Sequence, residues 1–199
     1  MRKTIFNGAG PHPRVARSAR SLDDVTVTVI IRPSMGFGTG HHASTRLSLL
    51  ALQSLNLDRK LVLDLGTGSG VLAIAAVCLG ADRALGVDTD PDALASAAGN
   101  VELNKVCDRV ELREADVCGL YVTAPVVLAN LTGALLERLA DQIGRLVEPG
   151  GYLIATGFTD TETTVLPALE KRLTRVGVKS EAEWVCGIFQ RKDAETQVH

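Results

Sequence analysis

Apolar positions recur along the chain in two periods, and each change of period marks a switch between strand and helix. Val25 to Ile31 alternates β-branched residues with threonine, the pattern of a strand. Leu47 to Leu55 carries helical spacing. Leu61 to Leu65 is an apolar run of strand character that breaks into Gly66-Thr67-Gly68-Ser69-Gly70 and resumes as Val71 to Leu79, of helical composition. Ala84 to Asp88 predicts the next strand, and Pro91 to Asn104 a helix with Ala93, Leu94, Ala97 and Val101 on its apolar stripe. Arg109 to Arg113 alternates as a short strand, Pro125 to Asn130 is a fourth parallel strand, and Ala134 to Val147 is again helical. Glu148-Pro149-Gly150-Gly151 predicts a turn into a fifth strand, Tyr152 to Thr156. A helix from about Thr161 to Arg175 should follow, then a closing antiparallel pair, Lys179 to Glu183 and Val185 to Gln190. Strand, glycine turn and helix in that order open a nucleotide-binding α/β sheet.

Composition narrows this picture. A chain of 199 residues, 46% hydrophobic and 22% charged, fits one globular domain with a full core. The N-terminal 20 residues hold five basic residues and no acid, mixed with Gly and Pro. Residues 1–24 are therefore expected to be a flexible basic arm, 25–192 the domain, and 193–199 a frayed tail. A net charge of −2 gives no nucleic-acid signature, and at 4% aromatics a stacking platform for bases is not expected. Cys78, Cys107, Cys118 and Cys186 are scattered, with no C-x-x-C pair, which suits a reducing, cytoplasmic setting without structural zinc. Met1 to Gly10 has no apolar core of a signal peptide, and no apolar run reaches the length of a membrane span.

Candidate chemistry gathers at three places. Gly66, Gly68 and Gly70 follow Asp64 at alternate positions, where a ligand can approach backbone that a Cβ would block. A dinucleotide fingerprint would need a small residue at position 71, which is Val71. That residue, with the lack of a Tyr-x-x-x-Lys pair, counts against an NAD(P)-dependent oxidoreductase. Asp88 closes the next strand 22 residues after Gly66, where an acid can accept hydrogen bonds from both ribose hydroxyls. Asp90, before Pro91, is read as the cap of the following helix. Asn130 ends the fourth strand at the edge where ligands of open α/β sheets collect. Ahead of these runs the glycine-rich loop Arg32 to Thr45, with the shape of a lid over a bound ligand. Its His41 and His42 are adjacent, so they point apart, and no carboxylate accompanies them as a metal site requires.

The order Asp64-x-Gly66-x-Gly68-x-Gly70 resembles the first motif of class I S-adenosylmethionine-dependent methyltransferases. Phe37-Gly38-Thr39-Gly40, followed by His42 and Thr45, is similar to the F-G-T-G-x-H-x-x-T stretch of the PrmA-type ribosomal-protein methyltransferases. The similarity continues through Gly86-Val-Asp-Thr-Asp-Pro, Asn100, Asn104, Val127-Leu-Ala-Asn-Leu131 and Pro149-Gly-Gly, and ends near Glu183-Trp184. His41 and Ala43 depart from the family pattern without touching an inferred contact. The resemblance implies an α/β, Rossmann-like sheet of seven strands, mostly parallel, with helices on both faces and an antiparallel C-terminal pair. It implies S-adenosyl-L-methionine as cofactor, with contacts at Thr45, Gly66, Asp88 and Asn130. Phe37, Gly38, Thr39, Gly40, Asp64, Gly68 and Thr89 are further candidates, and Asp116 is the candidate partner of the adenine amino group. Asn130-Leu131 resembles the start of the motif that positions amine substrates, which makes Asn130 the catalytic candidate. Lack of the Pro-Pro-aromatic continuation counts against base methylation. The implied reaction is methyl transfer to a lysine or α-amine of a protein, of ribosomal type. A small-molecule or nucleic-acid methyltransferase and a non-catalytic cofactor-binding subunit remain alternatives. Family members carry a separate N-terminal domain that docks the ribosomal protein, for which ~30 residues are too few. A truncated chain or a relative with another substrate is expected.

Overall fold

The computed structural model describes residues 2–7, 26–32 and 42–192. Seven strands form one sheet: β3 (Leu61–Leu65), β4 (Arg83–Asp88), β5 (Val110–Glu114), β6 (Ala124–Asn130), β7 (Val147–Thr159), β8 (Thr174–Glu181) and β9 (Trp184–Gln190). Their order is β5-β4-β3-β6-β7-β9-β8. The first five are parallel, and β9 runs antiparallel to both β7 and β8. Strand order reverses between β3 and β6, which puts the switch point of the sheet, and its ligand crevice, at their carboxyl ends.

Period-two alternation sends successive strand residues to opposite faces, each with its own core. Val62, Val126, Leu128 and Ile154 face α1 (Ala43–Leu52), α2 (Val71–Cys78) and the buried side of α3 (Pro91–Leu103). Leu63, Leu65, Val127 and Leu153 face α4 (Gly133–Leu146) and α5 (Val165–Glu170). In α4 the buried residues Leu136, Leu139, Ala140, Ile143 and Leu146 make one stripe at helical spacing. By contrast α2 is buried from Val71 to Val77, all round its circumference. Its outer face is covered by β2 (Thr26–Ile31), whose Val29 and Ile31 belong to the same core. β2 pairs antiparallel with β1 (Arg2–Asn7) in a separate two-stranded sheet. Arg2–Asn7 is thus a strand where a flexible arm was expected, while residues 8–25 lie outside the described residues.

Three boundaries depart from the sequence reading. The turn expected at residues 148–151 is absorbed into β7 as an irregularity, where pairing jumps from Ala124↔Val147 to Val126↔Tyr152. Gly150 takes a φ of 74° there and donates its N–H to the Arg191 carbonyl, so the kinked segment stays bonded to the sheet. α5 is shorter than expected because Pro167 lacks an N–H and is tolerated only in a first helical turn. The helix therefore begins at Val165, and the chain turns extended by Thr174, so β8 starts before the expected Lys179. Arg46 of α1 pairs with Glu181, tying that helix to the end of β8. Among the described residues no helix is long and apolar enough to cross a membrane.

Candidate functional site

The turn after β3 is built from Asp64 upward. Gly66, Gly68 and Gly70 all have left-handed φ, at 67°, 53° and 77°. At Gly66 a Cβ would also require the Leu131 side chain to move, on top of the strain of the left-handed φ. Thr67 donates its N–H to the Val87 carbonyl, and its Oγ1 to Asp64 Oδ2 at 2.7 Å. The same carboxylate oxygen accepts Ala73 N–H of α2 at 3.2 Å. Asp64 is 1% exposed and lies beneath the turn, outside the ring of residues that line the cavity. Its placement is that of a buried support for the turn.

Burial pushes the Asp64 carboxyl up to about 7, against the bonds from Thr67 and Ala73, with the Asp88 charge adding to the rise. The folded state thus holds this proton more tightly than the unfolded chain does. Its contribution to stability is present in full below the unfolded carboxyl pKa of about 4 and is lost as pH rises to about 7. Between about pH 5 and about pH 8 the Asp64→Asn variant should show a flatter dependence of unfolding free energy on pH. Chemical denaturation across that range checks this, and parallel curves for the two proteins would refute it.

Asp88 stands at the end of β4 with both oxygens engaged. Oδ2 accepts Gly68 N–H at 2.9 Å, and Oδ1 accepts Asp90 N–H at 3.1 Å. Asp90 caps α3 as expected, accepting Asp92 N–H at 2.9 Å with Pro91 in the first turn. Asp116, after β5, accepts Cys118 N–H at 2.8 Å. These groups border a cavity of about 630 Å³ at the carboxyl edge of the sheet. Gly66, Gly68, Asp88, Thr89 and Asp116 line it together. Leu131, Leu135, Arg138 and Leu139 form another part of the lining. Leu131 belongs to the Asn130-Leu131 motif, but the sequence does not single out Leu135, Arg138 and Leu139, which in a chain alone are indistinguishable from an ordinary amphipathic helix.

Asn130 and Thr45 lie beside this cavity and not among its lining residues. Asn130 ends β6, and its Nδ2 donates to Thr45 Oγ1 at 3.5 Å. Thr45, 1% exposed, is in the first turn of α1. Thr132, and not Asn130, occupies the N-cap position of α4. Ser48 Oγ and Thr156 Oγ1 share a buried hydrogen bond of 2.7 Å that fixes α1 against β7. His42 caps α1 through Nδ1 and meets Trp184 edge to face, ring centres 4.3 Å apart. Phe37, Gly38, Thr39, Gly40 and His41 lie outside the described residues.

Solved structures of similar fold include two methyltransferases. A ribosomal protein L11 methylase from Lactobacillus delbrueckii subsp. bulgaricus matches with a TM-score of 0.72 at 26% identity, over 77% of this chain and 81% of that one. An RNA methyltransferase from Salinibacter ruber, in complex with S-adenosyl-L-homocysteine, matches at 0.60 and 21% identity over 73% and 88%, a likeness of fold alone. Sheet order, glycine turn and strand-end acid make this a Rossmann-like methyltransferase domain. The sequence model of the family described as ribosomal protein L11 methyltransferase (PrmA) matches residues 13–192. A curated ribosomal protein L11 methyltransferase from Glaesserella parasuis is 40% identical over 163 residues, 81% of this chain. The chain belongs to the PrmA family of ribosomal protein L11 methyltransferases. It spans 55% of the length of that relative.

Proposed function

We propose that this chain binds S-adenosyl-L-methionine and transfers its methyl group to amino groups of ribosomal protein L11 in the cytoplasm. The observation that carries the cofactor reading is the charge of the cavity. Asp88, Asp90, Asp92 and Asp116 line it against one cation, Arg138. That wall favours a cationic sulfonium ligand and disfavours the pyrophosphate of a dinucleotide. The donor set fits as well. Each Asp88 oxygen accepts one backbone bond and keeps a further acceptor site, which suits the two hydroxyls of a ribose. Asp116 is an acceptor for an adenine amino group, and Val117, Leu131, Leu135 and Leu139 supply apolar wall for a flat base.

The bound cofactor supplies a methyl group activated on a sulfonium. The protein contributes position. Nδ2 of Asn130 is directed to Thr45 Oγ1, which leaves Oδ1 to accept from an incoming N–H and aim the nitrogen lone pair. The amine must arrive neutral, its proton passing to water before the amine is enclosed.

Calorimetric titration with S-adenosylhomocysteine, followed by mass spectrometry of L11 incubated with the chain and S-adenosyl-L-methionine, tests both halves. Saturable binding and added methyl groups are expected. Asn130→Ala should keep binding within about tenfold while turnover falls about 10²-fold, because orientation and not affinity is lost. No binding by the parent chain would sink the cofactor reading, and binding without methylation of L11 would sink the substrate reading.

A further inference from the structure

Asn100 is fully buried in the last turn of α3, a costly place for an amide unless both its ends are bonded. Nδ2 donates to the Ser69 carbonyl at 2.9 Å, inside the glycine turn. Oδ1 accepts the N–H of Arg32 at 2.9 Å, just past the end of β2. Ser69 stands between two left-handed glycines and lines the cavity. One helical turn further on, Asn104 grips β2 alone. It accepts Ile30 N–H at 2.8 Å, and its Nδ2 donates to the Ile30 carbonyl at 2.7 Å and to the Asn100 backbone carbonyl. The two asparagines meet β2 as a neighbouring strand would, but only Asn100 also reaches the turn.

We propose that Asn100 is a positioning residue that couples the docking of β2 on α3 to the shape of the glycine turn. The link to ligand binding rests on the cofactor reading above. A planar amide fixed at both ends transmits displacement. If β2 lifts from α3, Oδ1 loses the Arg32 N–H, the amide reorients, and its bond to the Ser69 carbonyl is broken. The floor of the cavity therefore has its bonded form only while β2 is seated. Couplings of this kind are worth roughly 5–150-fold in an equilibrium.

A double-mutant cycle read by backbone hydrogen exchange on the full, ligand-free chain tests this. Asn104→Ala frees Ile30 without touching the turn. It should speed exchange in β2 and, through Asn100, by at least about fivefold at Gly70 and Ala73, leaving β7 and β9 unchanged. Asn100→Asp keeps an acceptor for Arg32 but has no donor for Ser69. Exchange at Gly70 and Ala73 should already be fast in that variant, and adding Asn104→Ala should loosen β2 with no further effect on the turn. If the aspartate prevents folding, Asn100→Ala takes its place with the same expectation for the turn. Affinity for S-adenosylhomocysteine should fall in step with turn exchange. Asn104→Ala loosening β2 while Gly70 and Ala73 stay protected, or acting equally whatever stands at position 100, would overturn the coupling. A parent chain that binds no S-adenosylhomocysteine would instead overturn the cofactor reading, and the exchange data would still decide the coupling.

Discussion

Asp88→Ala is expected to weaken S-adenosylhomocysteine binding by about 10²- to 10³-fold. A carboxylate accepting two hydroxyls makes two charge-assisted bonds, each worth about 1.5–3 kcal/mol. Their loss amounts to about 3–6 kcal/mol, whose lower part, at about 1.4 kcal/mol per factor of ten, gives the expected fall for an acid that is partly exposed to water. A second effect adds to the first. Gly68 N–H loses its acceptor, so the turn that lies against the ligand is less well held. Stability of the ligand-free protein should change far less, because Asp88 is only half-buried at a strand end. Calorimetry on parent and variant reads the affinity, and thermal unfolding without ligand reads the stability. Binding retained within tenfold would mean that the ligand does not engage this acid.

Gly157→Ala should produce the largest loss of stability among these substitutions. Gly157 has a φ of 94°, and an added Cβ would press into the Leu131 carbonyl group, 2.9 Å from its carbon. It would also stand 3.0 Å from Asn130 Oδ1. The carbonyl is main chain and cannot swing aside, since Leu131 is pinned by its N–H to the Thr156 carbonyl at 3.0 Å. Strain and overlap together should cost at least about 3 kcal/mol, a fall in Tm of roughly 6–12 °C for a domain of this size. Gly80→Ala is the control. Gly80 has a φ of 110°, yet a Cβ there meets nothing within 4 Å, so only the backbone strain remains. The difference between the two variants isolates the overlap with the Leu131 carbonyl and Asn130 Oδ1. Equal losses in Tm would show that the backbone there yields to the added methyl.

The features legible in the sequence were those whose cause is local. The glycines after Leu65, the acid closing the next strand and the Asp90 cap each follow from backbone geometry within a few residues. Asn130 was placed at the carboxyl edge by strand order alone. Most features that escaped depend on how the folded elements are placed against one another. Asp64 reads as a ligand contact until the fold puts Thr67 and Ala73 around its carboxylate. Leu135 and Arg138 read as an ordinary helix face until α4 is laid beside the turn. The Pro149-Gly-Gly segment reads as a loop, and only its bond to Arg191 turns it into part of a strand. Pro167 was the one missed signal that was local, since a proline marks the start of a helix as surely as its end.

The burial of α2 on every side bears on how the chain comes to be made. Its outer face is closed by β2, which is synthesised first, yet the asparagines that seat β2 lie 68 and 74 residues downstream. At about 5–20 residues per second, Ile30 is added to the growing chain roughly 4–15 s before Asn104. Until α2 and α3 have been added, Val27, Val29 and Ile31 lack the helices they pack against, and a β-branched segment without a partner is the kind that pairs with other chains. The strand that closes α2 is thus made well before the helix whose asparagines hold it in place.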